Sequence, residues 1–277
     1  MNIVDAFTFF NEVDLLKLRL ELLFEHVDVF LICEANHTFT GKAKPYNFEI
    51  NCSEFEPWLD KIRYIRYEPD LTGLDFSVKD TSYNANSAAW QIERGQRNAL
   101  ADYVMELNDA DIVLVTDLDE IPNPDTIASI RHGQFNGEKA RLQMEMHYYY
   151  MNCRGIGANN AKWYHPFMSS VAGIKISPDL HRIRNTEHMP FIANAGWHFS
   201  YLGGVEAISR KLESFSHTEM NTPEFNEPTH LQNCIELGID YLHRPGFEYA
   251  FYPVAAYPLH LADLMRRNGN LIRASLV

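Results

Sequence analysis

The segment VLVTDLDEIPNP, residues 113–124, joins a short apolar run to a cluster of carboxylates. Its first four residues are strand formers, and Asp117, Asp119 and Glu120 follow directly. An unbroken apolar run of this kind is typical of a central strand that is covered on both faces. Like charges so close together repel each other, so either a bound cation or the solvent around a surface turn must compensate them.

The patterns on both sides of this segment predict a Rossmann-like α/β fold with a mostly parallel central sheet flanked by helices. The start of the chain predicts a β-α-β unit, and such units build parallel sheets. Asn123 can cap the helix that follows the acidic cluster, with Pro124 at its first position. The predicted strands are Ile3–Phe10, Val27–Cys33, Lys61–Tyr67, Ile112–Thr116, Arg141–Met151, Ser169–Ile176 and Gly196–Tyr201. The predicted helices are Glu12–His26, Ser87–Leu107, Val205–Phe215 and Pro228–Leu237.

The composition argues against several classes of protein. Apolar residues make up 46% of the 277 residues, which suffices for a full-sized core and argues against disorder. With 24 basic and 37 acidic residues the net charge is −13, and no basic face for nucleic acid stands out. The four cysteines lack metal-site spacing, and we expect free thiols. No apolar stretch approaches the ~20 residues of a membrane span, which predicts a soluble, cytoplasmic protein.

The position of the acidic cluster favours a ligand site. In open α/β sheets, ligands bind outside the carboxyl ends of the strands, where Asp117 and Asp119 would lie. Side chains alternate along an extended backbone, so these two carboxylates can point to the same side. Carboxylates suit Mg²⁺ or Mn²⁺, which commonly bind one or two of them together with substrate phosphates. From these residues alone, a metal–diphosphate site and a solvated turn both stay open.

Five sequence blocks occur in an order that matches a known enzyme family. They are DAFTFFNEVDLLKLRL (Asp5–Leu20), CEANHTFTGKAKP (Cys33–Pro45), ERGQRNAL (Glu93–Leu100), TDLDEIP (Thr116–Pro122) and GWHFSYLGG (Gly196–Gly204). Together they resemble glycosyltransferase family 17, which includes a β-1,4-N-acetylglucosaminyltransferase, and more broadly the GT-A fold with its DxD motif. The blocks lie before residue 215, so we expect a catalytic domain over residues 1–222. We expect residues 223–277 to form a C-terminal extension packed on the same domain.

The resemblance implies a metal-dependent, inverting glycosyltransferase that uses Mn²⁺ or Mg²⁺. Its donor would be a UDP-sugar, UDP-N-acetylglucosamine by family, and its acceptor a hydroxyl of a glycan. Asp119 is the implied metal ligand, and Asp117 would contact the metal through water or hold the ribose. His198 would complete the metal shell or contact the diphosphate, with a core position on its strand as the alternative. Glu120 would orient a neighbour or simply favour the start of the next helix. Trp197 would form the floor of the sugar pocket or pack in the core.

Further residues are implied to contact the donor from the same edge of the sheet. Glu34 and Asn36 have the acceptor and donor groups that a uracil edge needs. Glu12 and Asp14 follow the first strand, where they can equally complement the dipole of the following helix.

Basic and amide side chains are implied to reach the diphosphate from neighbouring helices. Arg94, Arg97 and Asn98 lie together on the helix before the DxD, and a guanidinium suits phosphate geometry. Lys211 is a fourth candidate, with a solvated helix charge as the alternative. Structural ion pairs with the carboxylates are the alternative for the arginines.

The implied mechanism is direct displacement at the anomeric carbon, for which a carboxylate takes the proton of the acceptor hydroxyl. Glu206 is the first candidate for this base, with Glu145 and Glu187 as alternatives. Two other functions stay in competition with sugar transfer. A metal-dependent phosphoesterase would need more scattered Asp and His ligands than the motifs here supply. A non-catalytic protein that binds carbohydrate or nucleotide-sugar would not need Asp117, Asp119 and His198 intact.

Overall fold

We describe the chain from a computed structural model, which covers residues 1–77, 84–135 and 137–273. The strands of these residues are β1 (Ile3–Phe9), β2 (Val29–Ala35), β3 (Ile62–Tyr67), β4 (Ile112–Asp117), β5 (Glu120–Pro122), β6 (Lys139–Tyr148), β7 (Cys153–Gly155), β8 (Lys162–Trp163), β9 (Phe167–Ser170), β10 (Phe191–Ser200) and β11 (Tyr249–Phe251). The helices are α1 (Val13–Leu23), α2 (Asn47–Ile50), α3 (Ala88–Met105), α4 (Pro124–Arg131), α5 (Val171–Lys175), α6 (Leu180–Thr186), α7 (Gly204–Ser214), α8 (Pro228–Leu237) and α9 (Leu259–Arg267). A 3₁₀ helix covers Cys52–Lys61.

These strands form one sheet in the order β11-β7-β6-β9-β4-β1-β2-β3, and β10 lies beside β6 and β5. Strands β4, β1, β2 and β3 are parallel neighbours, and β10 is parallel to β6. The short strand β9 joins the two parts, antiparallel to both β4 and β6. The predicted α/β fold with a mostly parallel central sheet flanked by helices is confirmed. The carboxyl ends of β1, β2 and β4 therefore meet at one edge.

Strand β4 is covered on both faces, as its apolar run predicts. Val113, Leu114 and Val115 have no exposed surface. Successive side chains point to opposite faces, so Leu114 packs in the core cluster that holds Leu20 of α1. Val113 and Val115 pack in the cluster that holds Leu100 of α3. This central position fixes where the acidic residues after the strand emerge.

Helix α4 begins where the sequence predicts, whereas β10 begins five residues before its predicted start at Gly196. The Asn123 side chain accepts a hydrogen bond from the Asp125 amide at 3.0 Å, and Pro124 begins α4. The predicted strand Ser169–Ile176 is wrong beyond its second residue. Strand β9 ends at Ser170, whose hydroxyl accepts from the Gly173 amide at 3.1 Å and starts helix α5. Val171 and Ile174 therefore face the core from a helix, whereas Ile176 is exposed.

The C-terminal residues add to the same sheet and core. Strand β11 pairs with β7 at the edge of the sheet, and α8 packs against α7. Leu261 and Met265 of α9 are buried in the cluster that holds the apolar face of α1. The domain boundary after residue 222 stays a prediction. Across the described part of the chain, no helix combines the length and the apolar character needed to cross a bilayer.

Candidate active site

The carboxyl ends of β1, β2 and β4 open into a cavity of about 390 Å³. A cavity of this volume lies in the range that small-molecule ligands occupy. Side chains from the sheet edge, from α3 and from the second half of the chain line it together. Those used in the argument below are Glu12, His37, Glu93, Arg97, Asp117, Asp119, Met146, Lys162, Arg184, His198, Lys211 and His217.

The turn after β4 is built around the buried guanidinium of Arg19, which comes from α1. Its Nη1 donates to the carbonyl oxygens of Asp117, Leu118 and Glu120 at 2.9, 3.0 and 2.9 Å. Its Nε and Nη2 donate to the two carboxylate oxygens of Asp5 at 2.8 and 2.5 Å. Both side chains of this ion pair have no exposed surface. Arg19 thus fixes the backbone of the acidic turn from inside the core.

Two arginines neutralise Asp117. Nη1 of Arg97 donates to its Oδ1 at 2.6 Å, and Nη2 of Arg184 donates to its Oδ2 at 2.7 Å. Burial acts to raise the pKa of Asp117, but Arg184 and Arg97 outweigh it and hold that pKa well below its ordinary value. Asp117 is therefore an ionised carboxylate whose two oxygens are both engaged by guanidinium groups.

Glu120 is a buried partner of this cluster and has no exposed surface. Its Oε2 accepts from the Asp117 amide at 2.7 Å and from Nη1 of Arg184 at 2.8 Å. Its Oε1 accepts from the Trp163 indole and from Nη2 of Arg184, both at 2.5 Å. The carboxylate is committed to four hydrogen bonds and does not line the cavity. This arrangement suits the positioning of Arg184 and the turn, and it leaves Glu120 poorly placed for proton transfer.

Asp119 has different partners from Asp117. Its Oδ2 accepts from the ammonium of Lys211 at 2.8 Å, and its Oδ1 lies 3.4 Å from Nε2 of His198. Burial acts to raise the pKa of Asp119, but Lys211 and His198 outweigh it, so the pKa lies well below its ordinary value. The same pairing holds the pKa of Lys211 above its ordinary value, although burial acts to lower it. Asp119 and Lys211 thus form an ion pair at the cavity wall.

Asp119 and His198 fit a divalent ion only when a ligand completes its shell. Among the residues that the structure describes, no three His, Cys, Asp or Glu side chains are arranged to hold a metal. The 3.4 Å between Asp119 Oδ1 and His198 Nε2 can be bridged by one ion, because metal bonds in such sites are about 2.1 Å long. Such ions commonly take one or two protein carboxylates and complete their shell with phosphate oxygens and water.

The family model described as glycosyltransferase family 17 matches residues 1–257. The chain belongs to this glycosyltransferase family. It is therefore a transferase, and the carboxylates and basic side chains around its cavity lie within the matched residues. A search of the curated proteins finds no significant match.

The structural neighbours of the glycosyltransferase are distant. One is S. aureus TarS 1–349, with 9% identity and a TM-score of 0.42, over 88% of this chain and 74% of that chain. Mannose-6-phosphate isomerase from Helicobacter pylori has 12% identity and a TM-score of 0.38, over 71% and 85% of the two chains. Mouse xyloside xylosyltransferase 1 has 13% identity and a TM-score of 0.32, over 66% and 71%. At this similarity the neighbours add nothing to the family match.

The residues expected to read the nucleotide from the ends of β1 and β2 separate in the structure of the glycosyltransferase. Glu12 lines the cavity, whereas Asp14 is exposed and accepts from Asn270 at 3.3 Å. Glu34 has no exposed surface, because its oxygens accept from Lys44, the amides of α2 and the Tyr64 hydroxyl. The side chain of Asn36 contacts His37 at 2.8 Å, and only His37 of this pair lines the cavity.

Three further donor candidates lie away from the cavity. The Arg94 guanidinium donates to the Ala85 carbonyl at 3.3 Å. Asn98 joins α3 to α6 through Asp179 and the His181 amide, at 3.1 and 3.0 Å. Trp197 points to the face of β10 opposite to His198 and is 4% exposed. Trp197 therefore does not form the floor of a sugar pocket in this cavity.

The three candidate bases also lie outside the cavity. Glu206 is exposed in the first turn of α7, and Glu187 pairs with Lys139 and Arg182 at 3.2 and 2.9 Å. Glu145 lies 2.5 Å from Arg154, in a second cleft. The positions of these residues on α7, after α6 and on β6 keep all three away from the DxD turn.

Sequence reasoning missed the cation that joins the cluster. Arg184 is 4% exposed, and burial lowers its pKa less than Asp117 and Glu120 raise it. Its short helix, α6, has no clear apolar period. Arg19 had a signal that could have been used, because it lies three or four residues from Leu15, Leu16, Leu22 and Leu23, on the apolar stripe of α1. A charge at such a position is rarely buried without a partner.

Proposed function

We propose that this glycosyltransferase moves N-acetylglucosamine from UDP-N-acetylglucosamine to a hydroxyl of a glycan acceptor, with inversion at the anomeric carbon and with Mn²⁺ or Mg²⁺. One observation carries the proposal. Asp117, Asp119, His198 and Lys211 meet at the carboxyl edge of a parallel sheet and line one cavity, in a chain of glycosyltransferase family 17. The donor sugar rests on the family resemblance alone.

The charges around the DxD suit a metal-bound diphosphate. Four carboxylates, of Glu93, Asp117, Asp119 and Glu120, are paired with three cations, of Arg97, Arg184 and Lys211. The cluster therefore carries an excess of one negative charge. A divalent ion would give it a surplus of one positive charge, which favours a diphosphate and disfavours a free cationic ligand.

The residues of this chain then have separate roles in the displacement. A bond forms between the acceptor oxygen and the anomeric carbon, while the bond from that carbon to the diphosphate oxygen breaks. The ion, held by Asp119 and His198, would stabilise the negative charge on the departing diphosphate. Lys211, with its ammonium at the cavity wall, supplies a second positive charge to the same group. Arg97 and Arg184 keep Asp117 ionised and fixed.

The proton of the acceptor hydroxyl requires a base that lines the cavity. Glu93 is committed, because its oxygens accept from Arg97 and from the Ser216 hydroxyl. We propose that Glu12 or His217 accepts this proton. Nδ1 of His217 lies 2.7 Å from Oε1 of Glu219, an arrangement in which a carboxylate orients an imidazole for proton transfer.

Calorimetry with UDP and UDP-N-acetylglucosamine, with and without Mn²⁺, tests the proposal. Metal-dependent binding is expected for the wild type and is expected to be lost in Asp119→Asn. Asp14→Asn is the matched control, because Asp14 is an exposed carboxylate of α1 outside the cavity. Turnover is then followed as UDP release with a panel of glycan acceptors, and NMR of the product gives its anomeric configuration. Absence of UDP binding at every metal concentration would overturn the proposal.

A further inference from the structure

A second cleft, of about 240 Å³, lies on the other face of β6 and β10 from the catalytic cavity. In the register of these strands Glu145 is paired with Trp197, and Met146 with His198. Because side chains alternate, the first pair lines the cleft whereas the second pair lines the catalytic cavity. The cleft is therefore a separate feature of the enzyme, with walls from β6, β7, β10 and the C-terminal residues.

One side of the cleft carries a compact set of polar groups. Arg154 donates to Oε1 of Glu145 at 2.5 Å, and the ammonium of Lys162 lies 3.6 Å from the same oxygen. Lys162 also donates to Oδ1 of Asn194 at 3.2 Å. Two cations share one carboxylate here, although the chain as a whole carries a net charge of −13. The set offers both hydrogen-bond donors and acceptors to a ligand.

Asn194 is held in this set by an unusual backbone. Its φ is +53°, in the left-handed region that most L residues avoid. It lies in a bulge of β10, where the register with β6 shifts between Ile192 and Gly196. Bulges of this kind re-aim a side chain, and non-glycine residues in the left-handed region persist where the surroundings demand them. The amide therefore reaches Lys162 at the edge of the cleft.

The other side of the cleft is aromatic. Trp197, Tyr252 and Tyr257 line it; Tyr252 is half-buried, whereas Trp197 and Tyr257 are buried. The Arg154 guanidinium lies 5.7 Å from the centre of the Tyr252 ring. Aromatic rings combine an apolar face with a defined edge, so they suit flat ligands that are apolar on one face and polar at the rim. A pyranose has this character, with C–H groups on its faces and hydroxyls around its rim.

We propose that this cleft binds a pyranose ring of a glycan, as a secondary carbohydrate site behind the catalytic cavity. The hydroxyls of the ring would exchange hydrogen bonds with Glu145, Arg154 and Asn194, and its apolar face would lie on the aromatic wall. The link to the acceptor rests on the proposed function. Lys162 supports that link, because it lines the catalytic cavity while its ammonium contacts Glu145 and Asn194 of the cleft. A branched or extended acceptor could thus occupy both sites.

The test is saccharide binding to the full chain, followed by saturation-transfer NMR and calorimetry. The ligands are the methyl β-pyranosides of glucose, galactose, mannose and N-acetylglucosamine, with glucuronic acid as the anionic arm and sorbitol as an acyclic polyol. Arg154→Gln and Asn194→Gly are expected to weaken binding of the preferred pyranoside about tenfold, as for the loss of one good hydrogen bond. Asn194→Gly removes the amide from a conformation that glycine adopts freely, so its Tm should not fall.

The controls separate this site from the catalytic cavity. Asp119→Asn should bind the pyranoside as the wild type does, and both cleft variants should bind UDP with Mn²⁺ as the wild type does. No pyranoside binding by the wild type, binding unchanged in both cleft variants, or binding lost only in Asp119→Asn would each overturn the proposal. If the wild type binds the pyranoside but does not bind UDP, the result would count against the proposed function alone. Equal binding of sorbitol would overturn the assignment of a ring.

Discussion

The ammonium of Lys211 lies 2.8 Å from a carboxylate oxygen of Asp119, although the two residues are 92 positions apart. The contact brings α7 onto the DxD turn and gives Asp119 a counter-charge within the protein. A divalent ion that binds Asp119 would compete with Lys211 for the same carboxylate. The ammonium would then be next to any diphosphate that shares this ion, and we propose that Lys211 takes part in donor binding.

Lys211→Met separates the competition of Lys211 with a metal ion from its contact with the diphosphate. We expect UDP binding in the presence of Mn²⁺ to weaken about tenfold or more, since hydrogen bonds to charged groups contribute about 1.5–3 kcal/mol. Mn²⁺ alone should bind at least as tightly as in the wild type, because the competing ammonium is gone. Calorimetry with Mn²⁺ and then with UDP measures both. Arg210→Met, an exposed neighbour on α7, is the control and should change neither. Weaker Mn²⁺ binding in Lys211→Met would contradict this account.

The sheet edge could be predicted from the sequence because apolar runs report burial directly. The run before Asp117 indicated a central strand, and the carboxyl edge of such a strand is where ligands bind. Arg97, on the helix that packs beside this edge, contacts Asp117. Lys211 was included only through the resemblance, since nothing local in α7 indicates its partner.

The sequence does not predict the positions of residues that depend on strand register or lie in short, irregular segments. Trp197 and His198 are adjacent in the chain, but only the pairing of β10 with β6 decides which of them faces the cavity. A shift by one residue would exchange them. Glu34 lies in β2, one residue beyond the predicted end of that strand, and its carboxylate accepts from the amides of α2, a four-residue helix with no detectable period. Arg184 lies in another short helix.

Arg184→Leu is expected to destabilise the fold by about 3 kcal/mol or more. It leaves Glu120 buried without a counter-charge, and breaking a buried ion pair on one side costs about this much. Urea unfolding measures the change in the free energy of unfolding. Arg182→Leu on the same helix is exposed and should change it by about 0.5 kcal/mol at most. If the double variant Arg184→Leu, Glu120→Leu is no more stable than the single variant, the pairing is not the cause.

The ion pair of Arg19 with Asp5 should show strong coupling in a double-mutant cycle. Arg19→Met and Asp5→Asn each leave a buried charge unpaired, and we expect each to cost about 3–5 kcal/mol. The double variant should cost less than the sum of the two, because no isolated charge remains. Arg19→Met alone should also weaken UDP binding, since Arg19 holds three carbonyls of the DxD turn. Additive costs would show that the pair does not act as a unit.

The stability of the enzyme should fall in acid partly because of His147. Burial lowers the pKa of His147 to about 3, from an ordinary value of 6.5. Below pH 6.5 the unfolded chain therefore binds a proton that the folded chain does not, and the free energy of unfolding falls by about 1.4 kcal/mol per pH unit from this group. This loss should continue to about pH 3.

His147→Gln should make the pH dependence of stability shallower by one proton between pH 6 and pH 4. Urea unfolding at several pH values measures the slope. His132→Gln is the control, because His132 is exposed and its removal should leave the slope as in the wild type. An unchanged slope in His147→Gln would mean that the imidazole is protonated in the folded enzyme.

The base that serves the acceptor can be identified by comparing Glu12→Gln with His217→Gln. Loss of a general base is expected to lower kcat by about 10²–10⁴-fold while UDP binding stays near that of the wild type. Replacement of the true base should also remove the acidic limb of the profile of kcat against pH. Glu219→Gln should reduce kcat less than His217→Gln if the carboxylate only orients the imidazole. Glu206→Gln and Glu187→Gln serve as controls outside the cavity. A large loss of kcat in one of those two, with both cavity variants active, would reverse the assignment.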